Sequence, residues 1–371
     1  MILSNKIRLK PNKHQEYLLY KSANTARFVY NWTLGRQKDN YANGGKFISD
    51  NDLRKELTQL KKRELSWLSE VSNNVAKQAV KDGCNSYKNF FKGLAKFPKF
   101  KKKGRSKLSF YNDNVKLKVK EFKVLIEKVG WVRTSEQLPM NTKYTNPRIS
   151  YDGKYWYISV GTERESPTLK LNKLSIGIDL GVKELAVCSN GRIYKNINKS
   201  KRIKKLKKVL KRLQRQVSRK YEKSKEVNNR YEKSQNIVKL EKRIRLVHRR
   251  ISNIRNNNLH QITNEIAKTK PSRVVMEDLN VKGMMKNKYL SRAIAEQNFH
   301  KFITYMKYKC EFNGIEFVQV PRFYPSSKTC SHCGTIKKDL KLSDRVFKCE
   351  CGHTLDRDLN ASINLANYTD K

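Results

Sequence analysis

Acidic residues and long apolar runs are scarce in this sequence. Only 33 of its 371 residues are Asp or Glu, against 82 Lys or Arg, which gives a formal net charge of +49. The chain contains no run of about twenty apolar residues and no lipidation signal, so a membrane protein is not expected. This positive charge exceeds what solubility requires and predicts a polyanionic partner, for which nucleic acid is the best candidate.

A secretory signal is also missing from the N-terminal sequence MILSNKIRLKPNKHQ. A reducing, cytoplasmic location is therefore expected, and there paired cysteines bind metals more often than they form disulfides. The hydrophobic fraction of 37%, with 18 Tyr and 14 Phe, excludes a disordered basic tail. A chain of 371 residues can form about two or three domains with their own cores.

Four of the seven cysteines form two close pairs near the C-terminus, one C-x-x-C and one C-x-C. They are Cys330, Cys333, Cys349 and Cys351. Each pair runs into a glycine, Gly334 or Gly352, which lets the backbone turn around a bound ion. Four thiolates at this spacing predict a tetrahedral zinc site. The C-x-C pair is one residue shorter than the usual form, so His332 and His353 remain alternative ligands.

Three acidic residues stand where predicted elements begin or end. Asp179 lies near the end of the apolar run LSIGIDL, and Glu277 ends a β-branched run in SRVVMEDL. Asp358 precedes an apolar pattern at helical spacing. Capping a turn is the simpler role for any one of them, and a metal site is preferred only if the three converge.

The ends of elements in an α/β sheet do gather distant residues into one crevice. Carboxylates packed together would repel one another unless cations neutralised them, and hard oxygen ligands favour Mg²⁺ or Mn²⁺. Two such ions about 4 Å apart can activate water and stabilise the leaving oxygen of a phosphodiester. The acids therefore predict phosphodiester hydrolysis, with the surrounding positive charge supplying affinity for the substrate.

Residue periodicity predicts a strand over residues 1–10, helices from about residue 15 to 91, and then strands. The helix after the first is expected to be capped by Asp50 or Asn51. From residue 107 to 160 the period is two, and the Asp152-Gly153 turn predicts an antiparallel barrel that the N-terminal strand joins. The basic segment FPKFKKKG between helices and strands either binds phosphates and bases or is a solvated connector.

Residues 195–270 separate the two strands that carry Asp179 and Glu277. Their apolar residues are spaced three and four apart, which predicts two long helices packed as a hairpin. Residues 195–250 contain 23 Lys or Arg against 4 Glu, whereas a solvated coiled coil mixes its charges more evenly. A surface that faces phosphates is therefore the preferred interpretation of this hairpin.

Motifs along the whole chain resemble those of the TnpB family, RNA-guided nucleases of insertion sequences that are related to type V CRISPR effectors. GIDLGVKELAVCSNG, VVMEDLNVKGM and the cysteine pairs with DRDLNAS are similar, in order and spacing, to its three RuvC-like motifs and zinc finger. RLKPNKHQ, RFVYNWTL, WLSEVSNN and FPKFKKK are similar to its N-terminal region.

The resemblance implies a multidomain α+β fold. Its expected parts are a wedge-type β-barrel (1–10 and 105–172), an inserted helical recognition domain (11–104), an RNase H-like (RuvC) α/β nuclease domain (173–329 and 352–371) with the basic hairpin (195–270), and a zinc finger (330–351). The implied partners are a guide RNA from the transposon end and double-stranded target DNA beside a short transposon-adjacent motif, in a monomeric ribonucleoprotein.

The resemblance also implies that Asp179, Glu277 and Asp358 are catalytic and bind Mg²⁺ or Mn²⁺, and that the four cysteines bind Zn²⁺. Residues two apart face different directions on a helix, so the motif assigns Asp358 to the site and leaves Asp356 to cap the turn or to pair with Arg357 or a lysine. Two alternatives are a guide-dependent DNA-binding regulator that does not cut, and a DDE-type transposase. The complete set of acids counts against the regulator, and the aspartate in third place counts against the transposase, where glutamate is usual.

Overall fold

The computed structural model describes residues 1–228, 233–341 and 344–369. The chain divides into two compact units, Met1–Glu165 and Ser166–Lys371. Each unit has its own sheet and its own hydrophobic core, which gives a multidomain α+β fold. Across the described ranges, every helix is too short or too polar to span a bilayer.

The first unit contains a seven-stranded antiparallel sheet. Its strands are β1 (Ile2–Lys10), β2 (Ser109–Tyr111), β3 (Val119–Lys120), β4 (Lys123–Ile126), β5 (Gly130–Thr134), β6 (Tyr144–Tyr151) and β7 (Trp156–Glu163). They lie in the order β2-β6-β7-β1-β5-β4-β3, so the N-terminal strand joins the later ones as predicted. The Asp152-Gly153 turn connects β6 and β7, with Gly153 at a φ of 95°. Closure of this sheet into a barrel stays a prediction.

Three helices follow β1 in the chain: α1 (Lys13–Ala42), α2 (Asp50–Arg63) and α3 (Asn73–Phe91). Each begins at a side chain that accepts a backbone N–H of the first turn, namely Asn12, Ser49 and Ser72. The prediction that Asp50 or Asn51 caps α2 is wrong, because both residues are already helical and the Ser49 hydroxyl accepts the N–H of Asp52.

The helices and the sheet of the first unit share one hydrophobic core. Leu19, Leu53 and Val80 from the helices belong to the same buried cluster as Ile126 and Trp156 from the sheet. The residue bounds predicted for a separate barrel and helical insertion stay a prediction.

The second unit is built on a mixed five-stranded sheet. Its strands are β8 (Ser175–Leu180), β9 (Glu184–Cys188), β10 (Ile193–Lys195), β11 (Arg273–Glu277) and β12 (Glu316–Val320). The order is β10-β9-β8-β11-β12, with β8, β11 and β12 parallel and the other two antiparallel. Fully buried apolar residues dominate β8 and β11, as expected for central parallel strands. The strands predicted to carry Asp179 and Glu277 are therefore neighbours.

Six helices complete the second unit as the structure describes it: α4 (Lys201–Asn228), α5 (Gln235–Lys268), α6 (Val281–Met284), α7 (Ser291–Gln297), α8 (Phe299–Phe312) and α9 (Arg357–Ala366). The predicted pairing of two long basic helices is confirmed, because α4 packs on α5, with Ile203 and Leu213 buried. Residues 229–232 of the predicted hairpin lie outside the described residues. A short antiparallel pair, β13 (Val346–Lys348) and β14 (Thr354–Asp356), leads directly into α9.

Candidate active site and cysteine cluster

Asp179 and Glu277 occupy adjacent positions at the carboxyl ends of two parallel strands. The register of β8 and β11 pairs Ile178 with Met276, so the two acids come next on neighbouring strands. The carboxyl ends of parallel strands are the edge at which open α/β sheets place their sites. The sheet therefore brings together two acids that lie about 100 residues apart in the chain.

The charge environment of Asp179 reveals a third acid nearby. Desolvation is the largest cause that raises the pKa of Asp179 to about 8, and the charges of Glu277 and Asp358 raise it further. The Asp179 side chain retains some solvent contact, although protein groups surround it. A cation bound nearby would offset this repulsion and favour the ionised carboxylates.

Asp358 lies in the first turn of α9, and Asp356 caps that helix. Asp356 Oδ1 accepts the N–H groups of Asp358 at 3.0 Å and Leu359 at 3.1 Å, which confirms its predicted role as a cap. Arg357 Nη2 lies 3.2 Å from Asp358 Oδ1, so an adjacent guanidinium compensates part of the Asp358 charge. The two acids of the DRD sequence thus have different surroundings.

The three carboxylates are spaced more widely than the ligands of one ion. In the described ranges, the four cysteines are the one group of three or more His, Cys, Asp or Glu with all ligand atoms within 4.8 Å. Two ions about 4 Å apart require a wider ligand set, and hard carboxylate oxygens suit Mg²⁺ or Mn²⁺. The donor chemistry and mutual repulsion of Asp179, Glu277 and Asp358 therefore fit a pair of divalent ions.

A chain of hydrogen bonds orients Glu277. The Ser326 hydroxyl, which is buried, donates to Glu277 Oε1. The Asn364 amide of α9 donates to the Ser326 carbonyl at 2.7 Å and to the Thr329 carbonyl at 2.6 Å. Since Asn364 is itself only 5% exposed, these bonds are shielded from water and hold the loop firmly. Glu277 is thereby tied to the helix that carries Asp358.

Asn360 extends this connection to the first cysteine pair. Its amide donates to the Thr329 carbonyl at 2.7 Å, and its carbonyl accepts the Ser331 N–H at 2.9 Å. These two partners flank Cys330 in the chain. Helix α9 therefore binds both the loop that orients Glu277 and the backbone around one cysteine.

Gly177 allows α9 to lie directly on β8. A Cβ at this position would overlap the Ser362 carbonyl oxygen and the Ala366 N atom, both in the helix backbone. The Ser175 hydroxyl adds a bond of 2.8 Å to the Ala366 carbonyl. Because glycine has no side chain, the strand of Asp179 and the helix of Asp358 can lie this close together.

Gly177→Ala should separate this strand from the helix. Since helix backbone cannot yield as a flexible side chain does, we expect a loss of about 1–3 kcal/mol in the free energy of unfolding. Gly35→Ala is the matched control, because a Cβ there meets nothing within 4 Å. It should be neutral or stabilise α1 by up to about 1 kcal/mol. Chemical denaturation of both variants measures the difference, and equal stability would disprove the close contact.

The four cysteine sulfurs form a compact cluster. Cys330 and Cys351 are separated by 3.8 Å between Sγ atoms, and Cys333 and Cys349 by 3.6 Å. Tetrahedral zinc with Zn–S bonds of about 2.3 Å requires S–S separations of about 3.8 Å, whereas a disulfide requires about 2.05 Å. All four thiols are free. The spacing therefore fits a zinc site and excludes disulfides.

Backbone geometry in both cysteine pairs supports this cluster. Gly334 and Gly352 have φ values of 77° and 86°, and their N–H groups bond to the carbonyls of Cys330 and Cys349. Hydrogen bonds with the Thr335 side chain and backbone lower the pKa of the Cys333 thiol, whereas the neighbouring thiols raise the pKa of Cys349.

The two alternative histidine ligands lie beside the cluster. Their rings stack on each other with centroids 5.6 Å apart, and His353 Nε2 lies 3.3 Å from Ser331 Oγ. Four cysteine ligands also leave no open position, which is the arrangement of a structural rather than a catalytic zinc site.

Cys330→Ser should remove most of the bound zinc and lower the melting temperature. His332→Ala and His353→Ala should keep one zinc per chain, because the four sulfurs complete the tetrahedron without them. Elemental analysis of the purified proteins measures the zinc content. Zinc that persists in Cys330→Ser, or is lost from a histidine variant, would disprove this ligand set.

Sequence reasoning did not single out the groups that position the acids. They are Gly177, Ser326, Asn360 and Asn364. A signal existed in DRDLNASINL, where two asparagines four residues apart share one helix face with apolar residues. Buried amides in such a pattern require partners, and their carbonyl partners lie in the loop at 326–331.

Comparison with known proteins gives similar sequences over nearly the whole chain. "Putative RNA-guided DNA endonuclease InsQ" of Escherichia coli (strain K12) is 32% identical over 97% of this chain and 90% of its own length. The chain belongs to the TnpB family. A second member, "Putative RNA-guided DNA endonuclease" of Streptomyces pristinaespiralis, is 30% identical over 97% of this chain and 87% of its own length.

Three family profiles match successive parts of this TnpB-family chain. They are described as "Helix-turn-helix domain" at 1–46, "Probable transposase" at 157–288 and "Cas12f1-like, TNB domain" at 299–365. Residues 1–46 form β1 and the single long helix α1, so the first description does not correspond to the structure of this TnpB-family member.

A solved structure supports the TnpB-family fold. The chain aligns with the "Cryo-EM structure of the Cas12f1-sgRNA-target DNA complex" with a TM-score of 0.57 and 15% identity. The alignment covers 95% of this chain and 82% of the other. The two proteins therefore share a fold despite little sequence similarity.

Proposed function

We propose that this chain is an RNA-guided DNA endonuclease of a transposable element. It cleaves target DNA beside a short transposon-adjacent motif by phosphodiester hydrolysis with two metal ions. The observation that carries the proposal is the placement of Asp179, Glu277 and Asp358 around one end of the central sheet. The names of relatives that are 32% and 30% identical support the same activity.

The proposed nuclease domain is RNase H-like (RuvC), comprises residues 173–329 and 352–371, and carries a zinc finger at 330–351. Residues 1–10 and 105–172, of which all but the last seven belong to the first unit, are proposed as a wedge-type barrel around a helical recognition domain at 11–104. The mixed sheet with adjacent acids supports the first assignment. The sulfur spacing supports zinc as the ion of the finger.

Asp179, Glu277 and Asp358 would hold two Mg²⁺ or Mn²⁺ ions, which supply an activated water and neutralise the leaving oxygen when bound. The remaining chemistry of the site is positioning. A central strand fixes Asp179, the Ser326 hydroxyl fixes one oxygen of Glu277, and the Asp356 cap fixes the first turn that carries Asp358. Such rigid support keeps ligands within the small tolerance that catalysis requires.

A guide RNA and double-stranded DNA are the proposed partners, in a ribonucleoprotein with one copy of the chain. The basic helices α4 and α5 support a polyanionic partner, because cationic side chains surround Leu240 in an open groove of about 560 Å³ along them. Arg219, Lys220, Lys239 and Arg243 supply its positive charge. Lysine and arginine in this arrangement neutralise phosphates and release counterions.

The proposal is tested by expressing the full chain with its transposon end and sequencing the RNA that co-purifies. The complex is then mixed with plasmids that carry a guide-matched site beside a randomised flank, with Mg²⁺ or EDTA. We expect cuts only with Mg²⁺, a matched site and one flanking motif, without joining of strands. Binding without cleavage would select the regulator, and strand joining would select a transposase. Mass photometry of the complex measures the copy number.

A further inference from the structure

An aromatic cavity lies in the first unit, far along the chain from the acids. Its volume is about 470 Å³, within the range of roughly 300–1,000 Å³ typical of ligand sites. The C-terminal ends of α1 and α3 form it, together with the segments that follow each helix. Six rings line it and are called the aromatic bowl here: Tyr41, Phe47, Tyr87, Phe90, Phe91 and Phe97.

Three of these rings are exposed to an extent that a folding core does not explain, whereas Tyr87 is buried. Tyr41 is 80% exposed, Phe91 63% and Phe97 53%. Phe91 and Phe97 are nevertheless held in place by a neighbouring ring, since the Phe90 ring centroid lies 5.6 Å from that of Phe91 and 5.3 Å from that of Phe97. Clustered exposed rings of this kind mark a binding surface.

The charge around the aromatic bowl decides what it binds. Residues 88–105 contain eight Lys or Arg and no Asp or Glu, and Lys38 and Lys46 line the cavity itself. One acid, Asp39, lies near Tyr87, so positive charge predominates. Lys88 Nζ lies 5.9 Å from the Phe47 ring centroid. Protein interfaces are depleted in lysine, whereas sites for single-stranded nucleic acid combine exposed rings with a basic track.

We propose that the aromatic bowl binds unpaired bases of a single-stranded nucleic acid, with the neighbouring lysines contacting its phosphates. Duplex bases already stack on each other and present no open faces to these rings, so the site selects unpaired strands. The inference deepens the proposed function and rests on it, because that activity brings both a guide RNA and a separated DNA strand to the protein. Either strand supplies the same chemistry.

Phe91→Ala tests the proposal in the full-length chain. Labelled fifteen-nucleotide RNA and DNA single strands and a fifteen-base-pair duplex are titrated by fluorescence anisotropy. We expect single-strand affinity to fall about 5- to 150-fold and duplex affinity to stay unchanged, since one stacked base contributes about 1–3 kcal/mol. Phe91→Trp should restore binding, because it keeps a flat ring. Tyr17→Ala removes a ring that is 60% exposed outside the bowl, and is the matched control.

Tyr41→Ala repeats the test at a ring whose 80% exposure leaves the core intact. Photocrosslinking of the assembled complex through 5-iodouridine then distinguishes the guide RNA from the DNA strand as the source. Equal losses for single strand and duplex, or no loss, would overturn the proposal. Unchanged nucleic-acid binding by a variant whose molecular mass in solution has changed would also overturn it, because the bowl would then be a protein contact. Normal guided cleavage alongside unaffected single-strand binding would overturn the bowl alone, whereas a chain without any nucleic-acid affinity would overturn the proposed function.

Discussion

Asp358→Asn is expected to abolish DNA cleavage, whereas Asp356→Asn should keep most of it. The two acids are two residues apart, yet they have different roles. Asp358 raises the pKa of Asp179 through its charge, so it belongs to the acid cluster, and Asn would lose the charge that cations need. Asp356 caps α9 through two N–H groups, and Asn is an equally good cap.

The measurement is a cleavage time course with RNA-loaded protein and a motif-bearing duplex at saturating Mg²⁺. We expect the cleavage rate of Asp358→Asn to fall by more than about 100-fold, because this variant would lose a proposed ligand of the ions. Asp356→Ala is a useful third variant, since removal of the cap should cost about 1 kcal/mol of stability without removing a ligand. An active Asp358→Asn with an inactive Asp356→Asn would reverse the assignment.

Asp179→Asn should eliminate cleavage and at the same time stabilise the metal-free protein. In the unfolded chain an aspartate titrates near pH 3.9, whereas the folded environment raises the pKa of Asp179 to about 8. Between these values the folded state binds more protons, so wild-type stability falls as pH rises. Asn carries no charge, so the stability advantage of Asp179→Asn over the wild type should be absent near pH 4 and grow towards pH 8.

We expect this advantage to reach at least about 1 kcal/mol at pH 8 in EDTA. Mg²⁺ should narrow or reverse the difference, because it stabilises only the protein that binds it. Thermal melts across this pH range, with and without Mg²⁺, provide the test, and Asp339→Asn at an exposed position is the control. DNA affinity should change little, since the basic surface is intact. Equal melting temperatures at every pH would contradict a charge-repelled acid.

The sequence predicted the elements that carry the acids better than the contacts that orient them. An apolar run ending in Asp179, and a β-branched run ending in Glu277, identify buried strands because periodicity is a local property. Assembly of the site depends instead on a contact between segments distant in the chain. Helix α9 packs directly against Gly177, which has no side chain to prevent it. A glycine in a strand can have many causes, and the packing of α9 identifies the cause at Gly177.

Helix α8 shows a different limit. The helical period is present in its sequence, because its buried residues are Phe299, Phe302, Met306 and Cys310. The segment is also basic and aromatic and lacks a side-chain cap, so the sequence did not identify it as a helix. The aromatic bowl was equally hidden, because its rings come from two helix ends and the segments after them. Pairing of distant segments is what sequence periodicity cannot supply.

The order of the acids along the chain also has a consequence for folding. Asp179, Glu277 and Asp358 are separated by about 100 and about 80 residues, so the site requires two long loop closures. The basic helices α4 and α5 form from local contacts and are expected to form much earlier. A newly synthesised chain is therefore expected to present the basic helices before the three acids have come together.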